Sequence, residues 1–289
     1  MNTTNRLWNP DEIAQAIEGH WLAPPQGDIN ITGVCYYFGQ IQPGDLVFAV
    51  SPKTWGSNYP DTTDRLEEMQ KKGAQAVVVD RIPTILPPGL AVYLNNNTEF
   101  ALNQLGKAAR ERFQGKVICV TGSVGKSTTK RGIAHMLSKQ GLTRESRKNF
   151  NHSPGVPLSL AQTPAHYQYG VYEFGVDAPR YTLSKALLAR PHVAVVTEIQ
   201  PDHHHYYPTM EILVDQKSLL FRGLTSDGVV VLNRDTPYFT RLKTAALNCN
   251  ASRVITFGEH RHADVRLLDN HCDIDSSQIT ASVFGHVVR

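Results

Sequence analysis

The stretch Val117-Ile118-Cys119-Val120-Thr121-Gly122-Ser123-Val124-Gly125-Lys126-Ser127-Thr128-Thr129-Lys130 decides how this chain is read. Val117 to Val120 is a short apolar run of the kind buried inside a parallel sheet. Gly122 and Gly125 permit a tight turn in which successive backbone N–H groups face an anion. Lys126, Ser127 and Thr128 then open a helix whose positive dipole end points at the same place. In a phosphate-binding loop of this form the lysine reaches the terminal phosphates of a nucleotide and the hydroxyl holds Mg²⁺. The common form places its first glycine where this chain has Val120. A glycine turn carrying a solvated lysine is the competing reading, and it leaves the order strand, turn, Gly-Lys-Ser, helix to chance. Ile133, Met136 and Leu137 are expected to form the buried face of the helix, with Gly141 ending it.

The whole chain sets the frame for that loop. Its 289 residues suffice for two domains with cores of their own. A content of 41% hydrophobic and 19% charged residues is that of an ordinary soluble protein. The net charge of +3 is too small to argue for nucleic acid or an anionic membrane as partner. No apolar run is long enough to span a bilayer, and the polar start Met1-Asn2-Thr3-Thr4-Asn5-Arg6 is no signal peptide. Cys35, Cys119, Cys249 and Cys272 lack Cys-x-x-Cys spacing, which argues against a zinc cluster or disulfide scaffold and fits a reducing cytoplasm.

Residues 1–110 read as a small α/β module. A helix is expected over 10–17, with proline and acids in its first turn. Strands are expected over 29–34, 45–50 and 76–79, with a helix over 66–72. Pro83, Pro87, Pro88 and Gly89 mark a loop, and a helix over 98–113 leads into the second domain, 111–289. There, strands near 169–174, 192–198, 228–232 and 253–257 alternate with helices near 180–188 and 210–221. That alternation predicts an α/β fold with a mostly parallel sheet covered on both faces. Residues 264–269 and 278–284 alternate apolar and polar around Asp275-Ser276-Ser277, an antiparallel hairpin. Arg289 follows soon after with no closing element, so the second domain reads as incomplete.

In such sheets ligands bind beyond the carboxyl ends of the strands. Glu173 stands there, either as an oxygen ligand for Mg²⁺ opposite Ser127 or as a surface glutamate. His203 follows Pro201-Asp202 at the next strand end. A zinc site built from His203, His204 and His205 fails because adjacent side chains diverge, and the last two read as loop. Lys217 alone reads as a solvated helix lysine. The run from Asn149 to Pro157 makes either a loop near the γ-phosphate, carrying Asn149 and Asn151, or an ordinary one. Asn233-Arg234-Asp235 either reaches a nucleotide base or forms a plain turn.

Taken as a set, these pieces resemble the Mur ligase family, the ATP-dependent amide-bond ligases of peptidoglycan precursor synthesis, and most closely its branch that adds D-alanyl-D-alanine. The residues that carry the resemblance are Thr121-Gly122-Ser123-Val124-Gly125-Lys126-Ser127, Asn149-Phe150-Asn151 with Gly155-Val156-Pro157, and Glu173-Phe174-Gly175. Pro201-Asp202-His203, Lys217 and Leu232-Asn233-Arg234-Asp235 complete it. It covers most of residues 30–285, and the family's own short loop accounts for Val120.

The resemblance implies that Lys126 binds the β- and γ-phosphates of ATP, in a loop made with Gly122, Ser123, Val124, Gly125 and Thr128. Ser127 and Glu173 would hold a first Mg²⁺. His203 and a carbamylated Lys217 would hold a second, Asn149 and Asn151 would face substrate, and Asn233 and Asp235 would lie near the nucleotide. The implied reaction joins a peptide- or amino-acid-like carboxylate to an amine through an acyl phosphate, with ADP released.

Two departures stand out. The family's Asp-Ser-Arg before Pro-Gly-Asp is Tyr37-Phe38-Gly39 here, which points away from a UDP-sugar and toward a non-peptidoglycan substrate. The family's carboxyl-terminal domain is not in these residues, so this chain alone can bind ATP without ligating. A non-catalytic nucleotide-binding partner or regulatory module is the alternative. A kinase or GTPase is the weaker one, because it leaves Glu173, His203 and Lys217 without a role.

Overall fold

The computed structural model describes residues 6–147, 153–176, 179–202 and 206–289. The chain divides into two compact units, Met1–Gly115 with Pro157–Tyr167, and Lys116–Val156 with Gln168–Arg289.

In the first unit, α1 (Pro10–Ala16) begins at a capping box: Asn9 Oδ1 accepts from Glu12 N, and Glu12 Oε2 accepts from Asn9 N, both at 2.8 Å. There follow β1 (His20–Ala23), β2 (Gly33–Cys35), β3 (Asp45–Phe48), α2 (Pro52–Trp55), α3 (Leu66–Lys71), β4 (Ala76–Val79), β5 (Ala91–Leu94) and α4 (Thr98–Arg112). The sheet runs β1-β5-β4-β3-β2, with β1 antiparallel to β5 and the rest parallel. β3 and β4 are buried along their whole length, which is why they read as strands. The strand expected over 29–34 is shorter, because Ile31 makes only an isolated bridge to Trp8 and β2 starts at Gly33. Residues 157–167 return to this unit. Trp8 Nε1 donates to Ala161 O at 2.8 Å and Gln162 Nε2 to Val34 O at 2.6 Å. Gly106 comes so near Pro157 that a Cβ there would stand 2.7 Å from the proline Cα.

The second unit carries β6 (Lys116–Thr121), α5 (Lys126–Leu137), β7 (Thr143–Glu145) and the start of α6 (Gly155–Ala161). Next come β8 (Tyr169–Glu173), α7 (Pro179–Ala189), β9 (Val193–Val196), α8 (Met210–Ser218), β10 (Val229–Asn233) and α9 (Phe239–Asn248). β11 (Arg253–Gly258), β12 (Val265–Cys272), β13 (Ser277–Val283) and β14 (His286–Val288) complete it. The sheet order is β14-β13-β12-β11-β10-β9-β6-β8-β7. Pairing is parallel from β12 to β7 and antiparallel through β12, β13 and β14. The α/β class expected from the alternation holds.

Three expectations are corrected. Met136 is 61% exposed; the buried positions of α5 are Lys130 and Ala134, with Ile133 and Leu137 packed partly against Ile118, Val120, Val171 and Val195. The apolar stripe follows the helical period through 130, 133, 134 and 137, and Met136 falls outside it. Gly155-Val156-Pro157 opens α6 rather than a loop, since proline is tolerated in a first helical turn. Gly141 does not end α5, which stops at Leu137 with Ser138 as its C-cap. The expected hairpin forms as β12 and β13, and after a turn at Phe284-Gly285 the chain pairs again as β14. Among the described residues no helix is long and apolar enough to cross a membrane.

Candidate functional site

β6 lies between β9 and β8, so three strand ends open onto one place. There the chain turns through Gly122, with φ +144°, and Gly125, with φ +86°, which is the N-cap of α5. A Cβ on Gly122 would strike the Thr197 hydroxyl, so only glycine fits. The segment after β9 clasps this loop. Ser123 N and Val124 N donate to Glu198 O at 2.6 and 3.4 Å, and Ser123 Oγ donates to Gln200 O at 2.7 Å. Thr197 Oγ1 lies 2.7 Å from Val124 O and 3.1 Å from Thr121 O. Val124 and Thr128 are exposed.

Two lysines converge on a single carbonyl. Lys126 Nζ donates to Gly122 O at 2.8 Å and to Ser123 O at 2.9 Å. Lys217 reaches the same Gly122 O at 3.0 Å from α8, and its side chain is buried. Burial first, and the Lys126 charge second, push the Lys217 ammonium down to about 7, against the pull of Asp202. A solvated helix lysine is therefore not what Lys217 is.

A second pair forms at the start of α5. Ser127 Oγ donates to Glu173 Oε2 at 2.7 Å, and Glu173, the last residue of β8, is 2% exposed. Reading the sequence did not single out Lys130, one turn beyond Ser127. Its buried Nζ donates to Ser146 O at 2.7 Å and stands 3.9 Å from Glu173 Oε2. Ser146 Oγ in turn accepts from Glu173 N at 3.0 Å. Burial lowers the Lys130 pKa, opposed by the charges of Glu173 and Glu145. Its spacing of three from Ser127, which puts both on one helix face, was the available signal. A hydroxyl and a buried carboxylate side by side are hard oxygen donors of the kind Mg²⁺ takes from protein, so this pair fits that metal.

At the end of β10, Asn233 Nδ2 donates to Glu198 Oε2 at 2.7 Å and Asn233 Oδ1 accepts from Asp235 N at 2.9 Å. Asp235 accepts from Glu259 N at 2.7 Å and His260 N at 2.8 Å, so its carboxylate holds the turn after β11. Asn233 and Asp235 border a cavity of about 370 Å³ walled by Phe257, Val265, Leu267 and Ile279. Glu198, which sequence reading also missed, thus joins this corner to the phosphate loop through its side chain and its carbonyl. Asn149, Asn151 and His203 lie outside the described residues. Among the described residues no three His, Cys, Asp or Glu side chains converge on a metal position.

The family model described as the Mur ligase middle domain matches residues 120–287. The UDP-N-acetylmuramoyl-tripeptide--D-alanyl-D-alanine ligase of Bacillus subtilis (strain 168) is 30% identical over 257 residues, covering 89% of this chain and 54% of that protein. The protein of the same name from Rickettsia prowazekii (strain Madrid E) is 24% identical over 262 residues, covering 91% and 56%. Among solved structures, MurF from Acinetobacter baumannii matches with a TM-score of 0.78 at 26% identity, covering 96% of this chain and 58% of that one. The chain spans about half the length of the curated relatives it matches.

Proposed function

The chain belongs to the Mur ligase family, and on that premise we propose that it serves an ATP- and Mg²⁺-dependent ligase that joins a carboxylate to an amine and releases ADP. The observation that carries this reading is the meeting of Lys126 and Lys217 on Gly122 O, beside the Ser127–Glu173 pair. An ordinary phosphate loop has no use for a second, buried lysine. A ligase that transfers the γ-phosphoryl group to a carboxylate does, if that lysine is turned into an anchor for a second cation, because charge must be neutralised on both sides of that group.

In this reading Lys126 leaves the loop carbonyls for the β- and γ-phosphates, and the backbone N–H groups at the start of α5 face the same anion. Ser127 and Glu173 would hold one Mg²⁺. Lys217 and His203 would hold a second once the neutral Lys217 amine has added CO₂ and released a proton to give an anionic carbamate. An amine with a pKa near 7 supplies the neutral nucleophile that this addition requires. Bound there, the metals would supply Lewis-acid neutralisation of the transferring phosphoryl oxygens. Asn149 and Asn151 are assigned to substrate binding by the family resemblance alone. The acid substrate is activated as an acyl phosphate and then attacked by the amine, with the entropic advantage of holding both together. The cavity beside Asn233 is large enough for the nucleotide base.

The first substrates to try are those in the relatives' name, a UDP-N-acetylmuramoyl tripeptide and D-alanyl-D-alanine. Tyr37-Phe38-Gly39 motivates a second panel of peptide-like acids without a nucleotide. Equilibrium binding of ATP to these 289 residues, lost on Lys126→Ala, tests the nucleotide half. ADP and phosphate released by the natural gene product only when both acid and amine are present test the rest. AMP as product removes the assignment.

A further inference from the structure

Lys130 has no part in the reading above, yet it is one of the most deeply buried charges in the unit. At 2% exposure it stands 3.9 Å from Glu173 Oε2, the oxygen that also accepts the Ser127 hydroxyl. We propose that Lys130 makes metal binding at this site conditional on the nucleotide. The proposal rests on Ser127 and Glu173 being metal ligands.

Charge at short range sets the balance at this site. Before ATP arrives, the pair offers a cation one carboxylate, and a buried ammonium already balances that carboxylate. Lys126 adds positive charge at the adjoining loop. A divalent cation entering alone gains Glu173 but meets Lys130 in surroundings that screen poorly. A cation entering with a triphosphate brings its own negative charge and oxygen ligands, and the balance reverses.

Lys130 cannot withdraw to solvent to make room. Its Nζ is tied to Ser146 O at 2.7 Å, while Ser146 Oγ accepts from Glu173 N at 3.0 Å, so one serine fixes both partners. The carboxylate is thereby held beside Ser127 and kept unattractive to free metal. Such a device prevents the site from filling with a cation that has no phosphate to act on. Lys130 is on this account a positioning residue, since it acts through Glu173.

The test is manganese binding by electron paramagnetic resonance, with Mn²⁺ alone and with a non-hydrolysable ATP analogue. It compares the unaltered protein with Lys130→Gln, Lys130→Arg and Glu173→Gln. The unaltered protein and Lys130→Arg should bind Mn²⁺ at this site only with the analogue. Lys130→Gln, which can still donate to Ser146 O, should bind free Mn²⁺ about tenfold or more tightly than the unaltered protein. Adding Glu173→Gln to Lys130→Gln should erase that gain.

The proposal is overturned if Lys130→Gln shows no gain while both proteins bind Mn²⁺ with the analogue. It is equally overturned if the unaltered protein binds free Mn²⁺, in a manner abolished by Glu173→Gln, as tightly as with the analogue. That second comparison needs no Lys130 variant and decides the matter even if Lys130→Gln does not fold. Failure of the unaltered protein to bind Mn²⁺ with the analogue is a different result: it removes the metal–nucleotide reading itself, and this inference with it.

Discussion

Lys217 shows how an ordinary residue acquires a role from where the fold puts it. Its pKa falls from the usual 10.5 to about 7, so between those values the folded state binds fewer protons than the unfolded chain. Stability should therefore rise with pH across that window, by up to about 1.4 kcal/mol per pH unit. Below about 7 both states carry the proton and the burial cost is constant. Urea melts from about pH 7 to about pH 9 test this against Lys217→Met, which should flatten the slope. A slope unchanged in that variant assigns the pH dependence to some other group. Ligation by the natural gene product should be lost in Lys217→Ala and partly restored by small carboxylic acids if a carbamate is what the site needs. Glu173→Gln makes a separate prediction: the part of ATP affinity that depends on Mg²⁺ should fall by more than about tenfold. ATP affinity measured in EDTA should barely move, and an equal loss with and without metal would make Glu173 a structural residue. Lys126 and Ser127 could be picked out from the sequence because their neighbours in the chain are their neighbours in the site. Ser146 and Glu198 could not, because their partners come from α5, β8 and β10 only once the sheet order is known, and Lys130 offered only its spacing of three from Ser127.

At the scale of elements, two kinds of strand were readable. β4 and β6 carry apolar runs, Ala76 to Val79 and Val117 to Val120, that are buried throughout. The largely exposed β12 and β13 showed themselves by alternation around a polar turn. β1, β5 and β7 were not anticipated. β1 and β7 are short edge strands without alternation or a long apolar run, whereas β5 carries an apolar run, Leu90 to Leu94, directly after the proline-rich loop and was legible. α9 was also not anticipated, although its buried Phe239, Leu242 and Ala246 recur at helical spacing. The turn between β6 and α5 is the element on which the site depends, and Gly122 is its pivot. An alanine there faces both a φ of +144° and the Thr197 side chain. Gly122→Ala should cost roughly 1–3 kcal/mol in strain and displace the carbonyl on which both lysines converge. Calorimetry should show a lowered but still cooperative transition, and titration should show ATP binding lost. ATP bound with unchanged affinity in that variant would mean that the loop is not the phosphate site.

For the whole molecule, the telling feature is that the chain visits its first unit twice. Residues 157–167 belong with Met1–Gly115 although forty-odd residues of the second unit separate them in sequence. A reading along the chain has no signal for such a return, since Leu158, Leu160 and Ala161 look like core residues without saying which core they enter. The structure ties the return down at three points: the Trp8 indole on Ala161 O, the Gln162 amide on Val34 O, and Gly106 against Pro157. Trp8 is 1% exposed, and losing the packing of a side chain that size costs roughly 3–5 kcal/mol. Against a typical total of about 5–15 kcal/mol for a domain, that is enough to decide whether the unit folds. Residues 1–115 expressed alone should therefore melt early or not cooperatively, with Trp8 fluorescing as if in water. The same residues joined to 157–167 through a short flexible linker should regain a cooperative transition and a blue-shifted Trp8. Trp8→Phe in the joined form, which removes the bond to Ala161 O while keeping an aromatic ring, should lower its midpoint. If 1–115 alone melts at the temperature of the joined form, the return segment contributes nothing to this core.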